Sequence, residues 1–272
     1  MTTPSRTVRS ERRGAVEVVR IDRPERRNAV DRATAEALDD AIARADDDPR
    51  VGAIVLIGAD GTFCAGADLH AIAQGAPNRL EEDLGGPMGP SRRTTATPTI
   101  AAVEGHAVAG GLELALWCDL RVVADDAVLG VFCRRWGVPL VDGGTVRLPR
   151  VVGLGVALDL VLTGREVHAD EALRIGLATR VVPSGTTLEA AVALGEQLAA
   201  FPRACLVADL RSTREAFDRP LDEALLAEHR RGVASMAASE GDGGMRDGVA
   251  RFAAGAGRHG EGVRRPADGD GA

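Results

Sequence analysis

The amino-acid sequence predicts an α/β fold that ends in a helical region. Short apolar runs typical of strands alternate with stretches of helical periodicity over most of the 272-residue chain. After about residue 186 the pattern is helical only. This alternation favours one α/β core, and the later run of helices favours an added helical layer.

The predicted strands are apolar runs bounded by turn-forming residues, at 15–21, 51–57, 99–103 and 120–124. The predicted helices are 32–45, 188–200, 203–217 and 221–236. Residues 75–97, rich in Gly, Pro, Ser and Arg, are predicted to form a mobile loop. Such a loop serves either as a lid over a site or as a tolerated insertion.

Four regions follow from these elements. Residues 1–12 and the tail 255–272 are predicted to be disordered, because their low apolar content does not offset chain entropy. Residues 13–200 form the predicted core. Residues 201–254 form a helical region whose apolar stripes can cover its own core or that of a neighbouring subunit.

Composition excludes several functions. The net charge of −7 argues against general nucleic-acid binding, which needs a basic face. All 33 basic residues are Arg, so no lysine is present to form a Schiff base. No apolar run reaches the length of a membrane span, and the Arg-rich start lacks the apolar centre of a secretory signal. We therefore expect a cytoplasmic protein with no membrane partner.

The four cysteines lie far apart, and the five histidines lack metal-ligand spacing. We expect the cysteines to be reduced, small apolar residues, and we expect no metal site.

The most informative segment is 105–120, in which Glu113 follows the pair Gly110-Gly111 at the start of an apolar helix. The first N–H groups of a helix have no intrahelical partner and suit a developing negative oxygen. The N–H of Gly110 and the acid of Glu113 lie on roughly the same helix face. A site is one interpretation of this segment. Stabilisation of the helix start by a first-turn acid is the other.

A second segment strengthens the first interpretation. Residues 63–69, Phe-Cys-Ala-Gly-Ala-Asp-Leu, follow the apolar run 53–57 and a turn. A buried strand, a turn and a start of small residues make Ala67 a second candidate N–H donor.

Together with the motifs at 23–29, 98–105, 143–150, 162–164 and 169–177, these segments resemble the crotonase, or enoyl-CoA hydratase/isomerase, superfamily. The resemblance covers about residues 14–200. It implies a spiral of repeated ββα units with C-terminal helices that pack in homotrimers or dimers of trimers. It also implies an acyl-CoA thioester substrate and no further cofactor, since coenzyme A is part of the substrate.

The resemblance assigns roles residue by residue. The amides of Ala67 and Gly110 would form an oxyanion hole for the thioester oxygen. Glu113 matches one of the two glutamates with which the family's hydratases add water, and Cys133 falls where the second is found. The substrate-binding residues it implies are Arg26, Arg27, Ala29, Ala65, Gly66, Asp68, Leu69 and Cys133.

A thiol is a poor substitute for a carboxyl, because its pKa differs and it accepts hydrogen bonds weakly. Asp142 is a candidate replacement, since some relatives that carry out other acyl-CoA reactions use an aspartate in this loop. The alternative interpretation of Asp142 is a helix N-cap. We expect Trp136 to lie in the core.

Three hypotheses remain at this point. The first is an enoyl-CoA hydratase that relies on Glu113 and the two amides. The second is another crotonase-type reaction, such as isomerisation, decarboxylation, ring closure or thioester hydrolysis, that uses Asp142. The third is an acyl-CoA-binding protein that has lost catalysis.

Overall fold

The computed structural model describes residues 7–82, 85–238 and 244–257. The chain divides into two compact units, 1–195 and 196–272. The strands of the first unit are β1 (Val8–Arg13), β2 (Val16–Ile21), β3 (Ala53–Gly58), β4 (Thr99–Val103), β5 (His106–Val108), β6 (Leu120–Ala124), β7 (Val128–Gly130), β8 (Glu166–His168) and β9 (Arg180–Val182).

The helices are α1 (Arg32–Asp47), α2 (Leu69–Ala73), α3 (Gly110–Trp117), α4 (Gly144–Val152), α5 (Leu154–Thr163), α6 (Ala169–Arg174), α7 (Thr187–Ala199), α8 (Arg203–Glu215), α9 (Leu221–Ala238) and α10 (Met245–Ala253). The second unit holds α8, α9 and α10, and α7 crosses the division. In the described ranges, no individual helix has the length and apolar character of a membrane span. One pair of consecutive helical segments, Thr187–Ala199 and Arg203–Asp218, reaches that length and apolar character only when the two are taken together, and the pair is bent by 110°.

Two sheets build the first unit. The larger has the order β1-β2-β3-β4-β6-β9 and is parallel except at the β1–β2 hairpin. The smaller has the order β5-β7-β8. Every residue of β3 and β4 is buried, as expected for central parallel strands covered on both faces. The chain passes repeatedly between the two sheets, and this brings loops distant in sequence to one place.

The predicted disorder of residues 1–12 is wrong for residues 8–12, which belong to β1. This edge strand pairs with β2 along its whole length, from Val8 opposite Ile21 to Arg13 opposite Val16. Strand pairing needs only backbone groups, so a polar sequence can join a sheet edge. Residues 1–6 and 258–272 lie outside the described part of the chain.

The predicted mobility of 75–97 is wrong for its second half. Residues 87–91 are buried, and the Arg93 guanidinium donates to both carboxyl oxygens of Asp39 at 2.8 Å. The Nε1 of Trp117 donates to the Arg93 carbonyl oxygen at 2.9 Å. These contacts fix residues 87–97 against α1 and α3.

Two further expectations are corrected by burial. Cys64, Cys118 and Cys133 are buried and free, as expected, but the free Cys205 is exposed on α8. Trp136 is 71% exposed and is not a core residue.

Candidate active site

A cavity of about 440 Å³ lies beside the N-terminus of α3. Its lining is mainly apolar and comes from the loop before α2, α2 and the segment 77–80 after it, the segment 87–88, residues 108–113 and the loop between β7 and α4. Its polar members are Asn78, Glu113, Cys133 and Asp142. An apolar cavity with a few convergent polar groups is typical of a small-molecule site.

The N–H of Gly110 is one of two main-chain donors at this cavity. Ala109 precedes it with φ 54° and ψ −126°, in a region that non-glycine residues rarely adopt. The Ala109 N–H donates to the Gly130 carbonyl oxygen at 2.9 Å, which holds this strained residue in place. Gly110 is the first residue of α3, so its own N–H has no intrahelical acceptor.

Ala67 provides the second donor. It forms an isolated parallel bridge with Val30, in which Val30 N donates to Gly66 O at 2.8 Å and Asp68 N donates to Val30 O at 3.0 Å. In this pairing the Gly66 carbonyl oxygen and the Asp68 N–H point toward Val30. The Ala67 N–H shares a peptide group with the Gly66 carbonyl, and the two point in opposite directions. The Ala67 N–H therefore points away from Val30. No acceptor for it occurs among the described residues.

The loop that carries Ala67 touches the start of α3. Cys64 bridges Ala107, and the Val108 N–H donates to the Cys64 carbonyl oxygen at 3.1 Å. A Cβ placed on Gly66, whose φ is +99°, would lie 3.0 Å from Gly110 N. Two segments more than 40 residues apart in sequence therefore meet at one cavity wall.

Glu113 is 3% exposed and reaches from α3 to the N-terminus of α4. Its Oε1 accepts hydrogen bonds from Asp142 N at 2.9 Å and from Gly144 N at 2.8 Å. No partner for its Oε2 occurs in the described residues. Burial, with a smaller contribution from the nearby Asp142 charge, raises the pKa of Glu113 to about 7, although the two amides lower it. A carboxyl with such a pKa can accept and return protons near neutral pH.

Asp142 also lines the cavity, and its interpretation as an N-cap is wrong. The N-cap position of α4 is Gly143, which lacks a side-chain cap. The Asp142 carboxylate accepts instead from Met88 N, at 2.9 Å, and from the Ser91 hydroxyl through a short contact of its Oδ1. Burial raises the pKa of Asp142 despite these hydrogen bonds, which lower it.

Of the other sequence-predicted residues, Ala65, Leu69 and Cys133 line the cavity, and the remaining five lie elsewhere. Arg26 and Arg27 are exposed outside it, while Ala29 and Gly66 are buried and do not line it.

Asp68 is structural. Its carboxylate caps α2 through His70 N and Ala71 N and pairs with Arg23 at 3.0 Å.

Sequence reasoning missed several residues that shape the site. Met88 packs over Gly110, since a Cβ placed on Gly110 would lie 2.8 Å from the Met88 sulfur. Arg147 joins two loops, because it donates to the carbonyl oxygens of Asp142 at 2.8 Å and Ser91 at 2.6 Å. Asn78 lines the cavity and has a buried Oδ1 without a hydrogen-bond partner in the described residues. These contacts are between distant segments and leave no periodic signal in the sequence.

The sequence and the fold match known proteins over nearly the whole chain. The model of the family described as enoyl-CoA hydratase/isomerase matches residues 11–253. The chain is 38% identical over 230 residues to enoyl-CoA hydratase EchA19 of Mycobacterium tuberculosis, with 82% of this chain and 86% of that protein covered.

Solved structures of other proteins have a similar fold. The crystal structure of enoyl-CoA hydratase EchA1 from Mycobacterium marinum superposes with a TM-score of 0.85 at 34% identity, covering 93% of this chain and 96% of that one. That of carnitinyl-CoA hydratase from Mycobacterium avium gives a TM-score of 0.74 at 37% identity, covering 93% and 97%.

These similarities define a crotonase-fold protein, in which the α/β spiral is followed by C-terminal helices. More specifically, the chain belongs to the enoyl-CoA hydratase/isomerase family.

Proposed function

We propose that this protein is an enoyl-CoA hydratase that adds water to the double bond of a 2-enoyl-CoA. The observation that carries the proposal is the meeting of three groups at one cavity: the N–H of Gly110, the N–H of Ala67 and the buried carboxyl of Glu113. Relatives named as enoyl-CoA hydratases support the same reaction.

The two amides would bind the thioester oxygen. As water adds to C3, negative charge develops on this oxygen, and fixed N–H donors stabilise it without reorganisation. Loss of one such donor typically costs about 3 to 4 kcal/mol of transition-state stabilisation. Since coenzyme A is part of the substrate, the reaction requires no cofactor. The exposed Arg26 and Arg27 are available to attract the CoA phosphates.

Glu113 would move the protons. Its Oε1 is held by two amides, so Oε2 is the atom that faces substrate and water. As a carboxylate it takes a proton from water while the oxygen attacks C3, and the resulting acid returns a proton to C2. One carboxyl then serves both steps, because the position that resembles the second glutamate holds Cys133.

The test is hydration of 2-butenoyl-CoA by the wild type and by Glu113→Gln. The variant keeps the shape of the side chain but cannot accept a proton, so we expect kcat to fall by on the order of 100-fold or more. Glu36→Gln, on the exposed face of α1, is the matched control and should keep wild-type turnover. Wild-type turnover in Glu113→Gln would remove this carboxyl from the reaction.

A second candidate function is favoured by Asp142. Its carboxylate lies on the cavity wall rather than on the helix end, so another crotonase-type acyl-CoA reaction could use it. Asp142→Asn and Glu113→Gln, compared on a panel of acyl-CoA thioesters, separate the two functions. Loss of a reaction in Asp142→Asn alone supports the second. Tight acyl-CoA binding without any turnover supports a non-catalytic role.

We also propose a homo-oligomer, a trimer or a dimer of trimers. In the second unit, α9 and α10 expose large apolar side chains, among them Leu221, Leu225, Val249 and Phe252. Exposed apolar surface of this kind marks a protein–protein interface.

A further inference from the structure

Cys133 occupies a reactive position that hydration does not use. It lies in the 3-10 turn Phe132–Trp136, is 7% exposed and lines the same cavity as Glu113 and the two amides. The other buried cysteines, Cys64 and Cys118, do not line this cavity. A bound acyl group would therefore meet one thiol.

One observation independent of the thiol points to a ligand in this cavity. Glu113, 3% exposed, has an Oε2 without a hydrogen-bond partner in the described residues. Because Glu113 lines the cavity, this carboxylate oxygen is free to contact a ligand or water there.

The surroundings of Cys133 keep its thiol protonated until a base acts on it. Burial raises the pKa of the Cys133 thiol, and the negative charge of Glu113 raises it further. The thiolate is the nucleophile, so an acceptor for the proton must be adjacent. The Glu113 carboxylate lines the same cavity and its charge acts on the thiol, so we assign it the role of this acceptor.

We propose that the Cys133 thiol adds across the double bond of a bound 2-enoyl-CoA and forms a reversible thioether at C3. This inference rests on the proposed function, because it requires the substrate to be a 2-enoyl thioester. The protein would then carry a covalent adduct as well as catalysing hydration, and the thiol would compete with water for the same carbon.

The step balances without an oxidant or a reductant. Glu113 takes the thiol proton, the sulfur forms a bond to C3, and the π electrons of C2=C3 move onto the thioester oxygen. The amides of Ala67 and Gly110 bind the resulting enolate. Glu113 then returns the proton to C2 and the enolate collapses to the thioester. The net change is addition of S–H across one double bond, and elimination reverses it.

Intact-protein mass spectrometry after an acid quench tests the proposal. The full-length wild type is incubated with 2-butenoyl-CoA, with butanoyl-CoA as the saturated control. We expect one added mass equal to the whole enoyl-CoA, none with butanoyl-CoA, and peptide mapping of the adduct to Cys133. Cys133→Ser should form none, whereas Cys205→Ser, which changes the exposed cysteine, should form it fully. Glu113→Gln should slow its formation by roughly 100-fold.

Hydration measured in the same samples separates this inference from the proposed function. Hydration without an adduct, or an adduct mapped to another residue, would overturn the role of Cys133 and leave the hydratase intact. An added mass equal to the acyl group alone would also overturn it, because that product requires attack on the thioester carbonyl with loss of CoA. Peptide mapping in the wild type decides the site even if Cys133→Ser folds poorly.

Discussion

The sequence places Glu113 in the first turn of α3, but in the fold its carboxyl contacts the start of a different helix. A first-turn glutamate commonly stabilises the start of its own helix. This one instead accepts hydrogen bonds from the N-terminus of α4, at Asp142 N and Gly144 N. A Cβ placed on Gly144 would lie 2.9 Å from Glu113 Oε1, so glycine at this position leaves room for the carboxyl.

The raised pKa of Glu113 predicts how hydration depends on pH. Burial is the main cause of the shift to about 7, and the reaction needs the charged form to accept a proton from water. The charged fraction grows as pH rises, so kcat/KM should increase about tenfold per pH unit below 7 and level off above about 8. A profile that stays flat between about pH 5.5 and 8.5 would show that this carboxyl is not the base.

Residue roles were only partly predictable. Glu113, Ala67, Gly110, Asp142 and Cys133 were all named from the sequence and all line one cavity. The interpretation of Asp142 as an N-cap was wrong, because its acceptor contacts go to Met88 and Ser91, about 50 residues away. Such contacts depend on the tertiary fold, and local spacing does not report them.

At the scale of elements, the meeting of the Ala67 loop with the start of α3 places the two amides. It depends on Gly66, whose φ of +99° suits glycine and whose missing side chain lets the backbones approach. An added Cβ would lie 2.9 Å from the Ala109 Cβ.

Gly66→Ala should therefore displace the N-terminus of α3 and reduce kcat/KM for hydration by on the order of 100-fold, the typical effect of losing one oxyanion donor. Gly61→Ala is the matched control, since Gly61 also has a positive φ, +70°, but no atom lies within 4 Å of its added Cβ. Equal activity of the two variants would contradict this account of the amides.

The four longest helices, α1, α7, α8 and α9, were predicted from the sequence, as were the buried strands β2, β3, β4 and β6, whereas β1, α5 and the three-residue strands were not. The predicted strands 99–103 and 120–124 coincide with β4 and β6, because buried apolar runs of this length give a clear pattern. Each of β5, β7, β8 and β9 has three residues, too few for a period to appear. The packing of 87–97 was missed because its partners lie on α1 and α3.

At the scale of the whole molecule, the alternating pattern predicted the α/β class, and the resemblance predicted the crotonase spiral, which the structural matches confirm. The low apolar content of the N-terminal residues predicted disorder where β1 forms, because β1 is stabilised by pairing with β2 rather than by apolar burial. The helical region predicted at 201–254 lies within the second unit, which spans residues 196–272.

The exposed apolar side chains of that unit predict an assembly. Sedimentation should give three or six times the chain mass of 28.3 kDa. Leu225→Glu, which places a charge among exposed apolar residues of α9, should shift the protein toward smaller species without loss of helix content. His229→Glu, at another exposed position of α9, is the control and should keep the assembly. A wild type that sediments as one chain would contradict the oligomer.

The central claim is that the main-chain amides of Ala67 and Gly110 bind one thioester oxygen beside Glu113. A crystal structure with butanoyl-CoA, a saturated thioester that cannot react at C3, tests it most directly. We predict a carbonyl oxygen about 3 Å from both nitrogens, with Glu113 Oε2 facing C2 and C3. A carbonyl bound away from either amide, or a Glu113 carboxyl directed out of the cavity, would contradict the claim.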